Sequence, residues 1–489
     1  MGIDLLLINP GARKKIYKEL GKDLSGIEIP YWCAITASFI IEKGYSCEII
    51  DCDADSLEIE ETVEKTVKKN PSLVYIIVMG TNPSASSTPK MIETKQIVDG
   101  IKKKNPMMKI AIGGIHPSSL PEKTLKEENV DFIIYGEGFY TVYELLNVLK
   151  TKNLEKLNEV KGLWYKKNNK IYNTQPAPLI KNLDELPYIK WDLFSFDKYR
   201  AHNWHCLSNL DKRTPYGIIY TSFGCPYNCF YCNIHALYNE RPSIRYFSPE
   251  RVVKEIEILV EKYKVRNLKI ADELFVLNRE RVLKICDLLI KKRYDLNIWA
   301  YARIDTVDEE ILKKLKESGV NWLCYGIESA NQKVREGVNK KISQEKIEKV
   351  IEMTKKAGIY ILGNFIFGLP DDNYETMNET LKLAKKLMCE YVNFYVAMAY
   401  PGSLLYKESI QKGIKLPQTW SGFAQLSEDT LPLPTKYLKP EEVLKFRDHA
   451  FIDYFSDPQY LKMIEKKFGE QAKKHIEDII KIKIKRKYV

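Results

Sequence analysis

Short apolar segments alternate with amphipathic ones twice along the chain, and this double alternation narrows the possible folds more than any composition figure. In the first run the apolar segments lie at 4–9, 46–51, 74–79, 109–113 and 131–135, with helical periodicity between them, as over 58–69 and 89–104. The second run places them at 216–222, 267–271, 297–302, 322–327, 360–367 and 391–398, separated by helical stretches at 249–263, 279–292, 309–317, 344–357 and 374–387. Short strands separated by helices imply parallel sheets covered on their faces. The reading is an α/β chain: a doubly wound parallel sheet over 1–155, a hairpin (160–175) and Pro-rich linker over 156–212, a partial (β/α)6 barrel over 213–425, and a helical C-terminal region over 426–489.

Ligands of such folds gather beyond the carboxyl ends of the strands. In the second run the first of these loops, 222–232, reads Ser-Phe-Gly-Cys-Pro-Tyr-Asn-Cys-Phe-Tyr-Cys and holds Cys225, Cys229 and Cys232, three of the chain's ten cysteines. Three thiolates on a four-iron cluster would leave one iron open to a small molecule. Two other readings stand beside this one. One is a zinc site with His235 as fourth ligand, although zinc spacings usually come as separated pairs; the other is cysteines buried as small apolar groups. Later strand ends carry Asp272, Glu273, Arg303 and Glu328, charged groups that share one rim of the barrel. Each alone is also what a salt bridge at a barrel mouth looks like.

In the first run the post-strand loops are Asn9-Pro10-Gly11, 80–84 with Thr81 and Ser84, 113–118 with Gly114 and His116, and Gly136-Glu137-Gly138. Glycine allows close backbone approach to a ligand, and the amides and hydroxyls supply polar contacts. No G-x-G-x-x-G follows the first strand, which argues against a nicotinamide cofactor.

The spacing C-x-x-x-C-x-x-C, with Tyr231 just before the last cysteine, resembles the signature of the radical S-adenosylmethionine (SAM) superfamily. The loop set upstream, Gly113-Gly114-x-His116-Pro117 followed by Gly136-Glu137-Gly138, resembles the cobalamin-binding domain that precedes many of its barrels, and 363–370 is similar to a strand-five motif of the superfamily. The resemblance implies a 4Fe-4S cluster on Cys225, Cys229 and Cys232. It implies SAM with its amino group near Asp272 and Glu273, its carboxylate near Arg303, its ribose near Glu328, and its adenine flanked by Phe230-Tyr231 and 397–401. It further implies cobalamin against Asn9, Thr81, Ser84, Gly114, His116, Gly136, Glu137 and Gly138. The axial-histidine string D-x-H-x-x-G of many cobalamin proteins is absent, so the likeness is to the subgroup without histidine coordination. His116 is expected to be a loop histidine bonded within the protein.

The function so implied is methylation of an unactivated carbon, or of phosphorus, through a 5'-deoxyadenosyl radical and methylcobalamin. The substrate would be a small molecule or a peptide side chain, and the electron donor a flavodoxin or ferredoxin. Cyclisation or rearrangement without methyl transfer is the alternative within the family. Methylthio transfer to tRNA would need a second cluster, for which Cys33, Cys47 and Cys52 are available, but Cys47 and Cys52 fall on opposite faces of one strand. A cofactor-binding sensor without turnover is the reading outside enzymes.

Composition sets the remaining limits. No apolar run approaches the length of a membrane span, and the start lacks the features of a secretion signal. The cysteines do not form a secreted disulfide framework, so the cytoplasm is the expected compartment. The net charge of +11 includes a basic run at 481–487, expected to be a solvated terminus rather than a nucleic-acid arm. Aromatic residues at 204 and at 454, 455 and 460, with His205 and Cys206, are expected to pack.

Overall fold

Each apolar segment of the first run forms a strand: β1 (Leu5–Asn9), β2 (Cys47–Asp51), β3 (Leu73–Val78), β4 (Ile110–Gly114) and β5 (Phe132–Ile134). The computed structural model describes residues 2–489 except 12, 14, 15, 17–24 and 169. β1 pairs in parallel with both β2 and β3, and the sheet runs in the order 2-1-3-4-5. Leu5 and Leu7 enter one core and Leu6 and Ile8 the other, as the two-residue period requires. The switch of direction at β1 opens a crevice beyond the ends of β1 and β3.

The hairpin of β6 (Leu163–Lys167) and β7 (Lys170–Asn173) continues this sheet with antiparallel pairing, Ile133 lying opposite Trp164. Asn168 turns it with a φ of 52°. Residue 169 of the expected turn lies outside the described residues.

The second run forms a six-stranded parallel sheet from β8 (Tyr216–Ile219), β11 (Asn267–Ile270), β12 (Asn297–Ala302), β13 (Val320–Glu328), β14 (Tyr360–Phe367) and β15 (Tyr391–Val396). Its helices start as their sequences dictate. Ser248, for example, caps Pro249–Glu261 by accepting from Arg251 N, with Pro249 in the first turn.

The segment expected as one strand over 216–222 is divided. β8 stops at Ile219, and β9 (Ser222–Cys225) pairs antiparallel with β10 (Ser243–Tyr246). Buried Asp272 accounts for the break: it accepts from Thr221 N at 2.5 Å, diverting that backbone group from the ladder, and from Thr221 Oγ1 and Ser222 Oγ, each at 2.6 Å.

Trp204 packs edge-on against Trp299 and Trp322 at 5.2 and 5.3 Å. His205 Nε2 lies 3.0 Å from the Asn297 carbonyl, and Tyr454 OH and Tyr460 OH donate to the carbonyls of Cys389 and Glu390. These aromatic groups pack. Cys33 and Cys47 lie in one core and Cys52 in the other, across the first sheet.

After helix Glu470–Ile480 the chain runs extended, with Ile482, Ile484, Arg486 and Tyr488 half-buried and the intervening lysines exposed. Arg486 fastens this strap, with Nε and Nη2 on the two oxygens of Asp448 at 2.8 and 2.9 Å and Nη1 on Ser427 O at 2.8 Å. Among the described residues no helix is long and apolar enough to cross a membrane.

Candidate active site

The cysteine loop leaves β9 at Cys225 and is held at several points. His235 Nε2 lies 2.8 Å from Tyr227 O, Phe230 N donates to Val338 O at 3.2 Å, and Leu405 N donates to Phe230 O at 2.9 Å. All three thiols are free and half-buried. Burial, reinforced by the neighbouring thiols, pushes Cys225 up to about 12 and Cys232 up to about 11. Three thiolates held this close call for strong positive charge among them, which iron supplies. Among the described residues no group of three or more His, Cys, Asp or Glu side chains is arranged to hold one metal ion. The three thiols influence one another without meeting at a point, and ligands of a multi-iron cluster need not meet at one. His235 Nε2 is engaged with Tyr227 O, while its buried Nδ1 has no partner.

Around the loop the expected rim residues divide by role. Glu273 Oε2 accepts from Gly224 N at 3.3 Å, while its buried Oε1 has no partner. Such an orphaned acceptor suits an ammonium group. Burial, with the charge of Asp272, raises its carboxyl to about 8. Asp272 is spent on Thr221 and Ser222. Arg303 lies over the Tyr227 ring at 3.7 Å and bonds Asp305 through Nε and Nη2 at 2.9 and 3.0 Å. Glu328 ends β13 at a left-handed φ of 68°, accepting from Tyr231 OH at 2.9 Å and buried Lys340 at 2.5 Å. A non-glycine residue in that region stores backbone strain, which concentrates at functional sites.

A cavity of about 850 Å³ lies between the ends of β1 and β3 and the inward faces of β8, β11, β12, β14 and β15. Asn9 and Thr81 line it, and so do Trp32, Trp204, Tyr220, Trp299, Tyr301 and Tyr391. Asn9 donates to Asp51 and accepts from buried Lys90 at 2.7 Å. Arg447 and the strap residues Ile482 and Ile484 form another side of it.

Other expected contacts sit elsewhere. Ser84 donates to Asn233, beside Cys232, at 2.6 Å. Glu137 forms a buried ion pair with Arg245 of β10 and accepts from Ile180 N. His116 is buried, its Nδ1 3.2 Å from Thr88 Oγ1 and its ring edge-on to Trp420 at 4.5 Å; it is not among the cavity-lining residues. Gly136 and Gly138 both have a φ of 78°. Gly114 has a φ of 111°, and a Cβ there would come within 2.4 Å of Val78 O, so only glycine lets this backbone pass.

Sequence reasoning did not find Glu28, Lys90, His202, Lys269 or Arg447, all of which line the cavity. Lysines in helices and strands carry no local signal of burial.

Residues 219–384 match the family model of the radical SAM superfamily, and residues 18–146 match that of the B12 binding domain. An uncharacterized methyltransferase of Pyrococcus horikoshii is 30% identical over 480 residues, 98% of each chain. The chain belongs to the cobalamin-binding radical SAM enzymes. An anaerobic magnesium-protoporphyrin IX monomethyl ester cyclase of Rubrivivax gelatinosus is 27% identical over 83% of this chain and 69% of its own. The fold is that of the radical SAM methyltransferase TsrM from Kitasatospora setae, with a TM-score of 0.69 at 17% identity, covering 94% of this chain and 90% of the other. The cofactors of this enzyme are therefore a 4Fe-4S cluster, SAM and cobalamin. The donor sets above fit them: clustered thiols, a free buried carboxylate oxygen beside the cysteine loop, and glycine-built loops at the end of a doubly wound sheet.

Proposed function

We propose that this enzyme transfers a methyl group to an unactivated carbon centre of a small molecule or peptide. One observation carries the reading: the cavity is bounded both by the strand-end loops of the B12-binding half and by the barrel interior, and Ser84 joins the first of these to the cysteine loop. In this reading Cys225, Cys229 and Cys232 hold the cluster, and Glu273 Oε1 receives the ammonium group of SAM. Arg303, bonded to Asp305 through Nε and Nη2 and stacked on Tyr227, turns its remaining N–H groups to the carboxylate. Tyr231 and Glu328 lie beside the nucleoside. Asn9, Thr81, Gly114 and 136–138 border the cobalamin.

When bound, the cluster and SAM supply a one-electron source of the 5'-deoxyadenosyl radical, and cobalamin supplies the methyl group. The chain's own work is placement and exclusion. The aromatic walls keep water from a reactive chamber, and the Ser84–Asn233 contact fixes the distance between its two cofactor-binding sides. A flavodoxin or ferredoxin is the class of electron donor this chemistry needs, and ten unpaired thiols suit a reducing cytoplasm.

The test is anaerobic incubation of the reconstituted chain with cobalamin, SAM and a strong reductant, followed by mass spectrometry. 5'-Deoxyadenosine together with S-adenosylhomocysteine is expected. Deoxyadenosine alone would favour ring formation, the chemistry named for the Rubrivivax relative.

A further inference from the structure

A buried charge cluster in the cavity wall takes no part in holding the cluster or SAM. Lys269, on β11, donates to Glu28 Oε2 at 2.8 Å and to Thr81 O at 2.7 Å, and its ammonium lies 4.9 Å from the centre of the Trp299 ring. Two of its three protons are thereby committed, and the ring faces the charge. Both side chains of the pair are only 2% exposed. Glu28 Oε1, in contrast, has no hydrogen-bond partner.

His202 stands next to that oxygen without satisfying it. Gly26 N donates to His202 Nδ1 at 3.0 Å, so the neutral ring carries its proton on Nε2, which lies 3.5 Å from Glu28 Oε1. That exceeds the usual N–H···O range. Gly26 is required for this arrangement, because a Cβ there would meet the His202 ring at 2.9 Å. The segment is fixed by paired backbone bonds between Ile27 and Arg200 at 2.9 and 3.0 Å.

An ionised carboxylate oxygen buried without a partner is costly. It lines the cavity, on the side where His202 stacks on Trp204 at 6.0 Å. The surroundings are aromatic, and the unpartnered oxygen of the pair is an acceptor. An N–H group entering here finds a charged acceptor between flat apolar walls.

We propose that Glu28 is a specificity-determining residue that accepts a hydrogen bond from an amine or ammonium group on a planar, apolar substrate. The inference rests on the reading of the cavity as the substrate chamber. Corrin carboxamides also carry N–H groups, and the test separates the two sources.

The probes are 2-naphthylmethylamine and 2-naphthoate, titrated calorimetrically into the full chain reconstituted with cluster, cobalamin and SAM. The amine is expected to bind at least about tenfold tighter, the worth of one charge-assisted hydrogen bond. Glu28→Gln leaves Lys269 without its carboxylate and should reverse the preference. Glu28→Gln with Lys269→Met should abolish it. Iron content and the far-ultraviolet circular dichroism spectrum report that the variants are folded. Equal affinities in the native chain, or a preference that survives both variants, would overturn the proposal. So would loss of cobalamin by the variants with no change in probe preference, which would assign Glu28 to the corrin. A native chain that cleaves SAM yet ignores the amine keeps the proposed function and refutes Glu28. An amine preference without SAM products supports Glu28 and refutes the function.

Discussion

Ser84 Oγ donates to Asn233 Oδ1 at 2.6 Å, and Asn233 N returns a bond to Ser84 Oγ at 3.2 Å. A residue from the loop after β3 is thereby fastened to the residue that follows Cys232. Asn233 Nδ2 extends the link to Pro401 O at 2.9 Å. Ser84→Ala should cost about 1 kcal/mol of stability and leave iron content unaltered. Chemical denaturation monitored by circular dichroism checks this, and an unshifted midpoint would count against the link.

Alanine at Cys225, Cys229 and Cys232 together should remove iron and acid-labile sulfide while the far-ultraviolet spectrum stays that of the native chain. Colorimetric iron and sulfide analysis decides it; retained iron would sink the ligand assignment.

Glu273 and Asp272 are adjacent carboxylates with different work. Glu273→Gln removes the carboxyl that an incoming ammonium group would draw into its ionised form, and should weaken SAM binding by about tenfold or more, read by calorimetry. Asp272→Asn instead disturbs an acceptor of three hydrogen bonds and should lower stability by about 3 kcal/mol. The opposite pattern would exchange their roles.

Acid should destabilise the fold through two histidines. Burial is the first cause that depresses His116 and His205 to about 3, from an ordinary value of 6.5. A depressed folded value means that the unfolded chain takes up the proton first, so stability is fully present above pH 6.5 and is lost as pH falls from there toward 3. At pH 5 each histidine costs about 2 kcal/mol. Glu273, raised to about 8, contributes in the opposite sense over the same range, so the test is a difference: from pH 7 to pH 5, His116→Gln should lose about 2 kcal/mol less stability than the native chain, read from denaturation at the two pH values.

His116 bonds Thr88 and packs on Trp420, so His116→Ala should leave the absorption and electron paramagnetic resonance spectra of bound cobalamin unchanged. A shifted cobalt spectrum would make it an axial ligand.

The two sheets and the cysteine loop were legible because their signals are local: a period of two in a strand, a period near 3.6 in a helix, a spacing within one loop. What stayed hidden depends on contacts between distant parts of the chain. Lys269 and Glu28 meet across 241 positions, and nothing in either neighbourhood announces a buried ion pair. Asp272 reads as a rim carboxylate until its three donors are seen, and β8 ends early for that reason. The basic run at 481–487 reads as a solvated tail because its lysines are exposed, while Ile482 and Ile484 are half-buried against the cavity. Arg486 gains meaning only from Asp448, which precedes it by 38 positions.

The strap also bears on the order in which the enzyme matures. The chain up to residue 425 carries the whole cysteine loop and every barrel strand. It lacks the wall supplied by Arg447, Ile482 and Ile484. A chain that acquired its cluster before this segment docked would be armed but unsealed, and would spend its radicals on solvent and on itself. Because the strap follows every barrel strand in the sequence, the supply of electrons, rather than of iron, is the step a cell would have to withhold until it is in place.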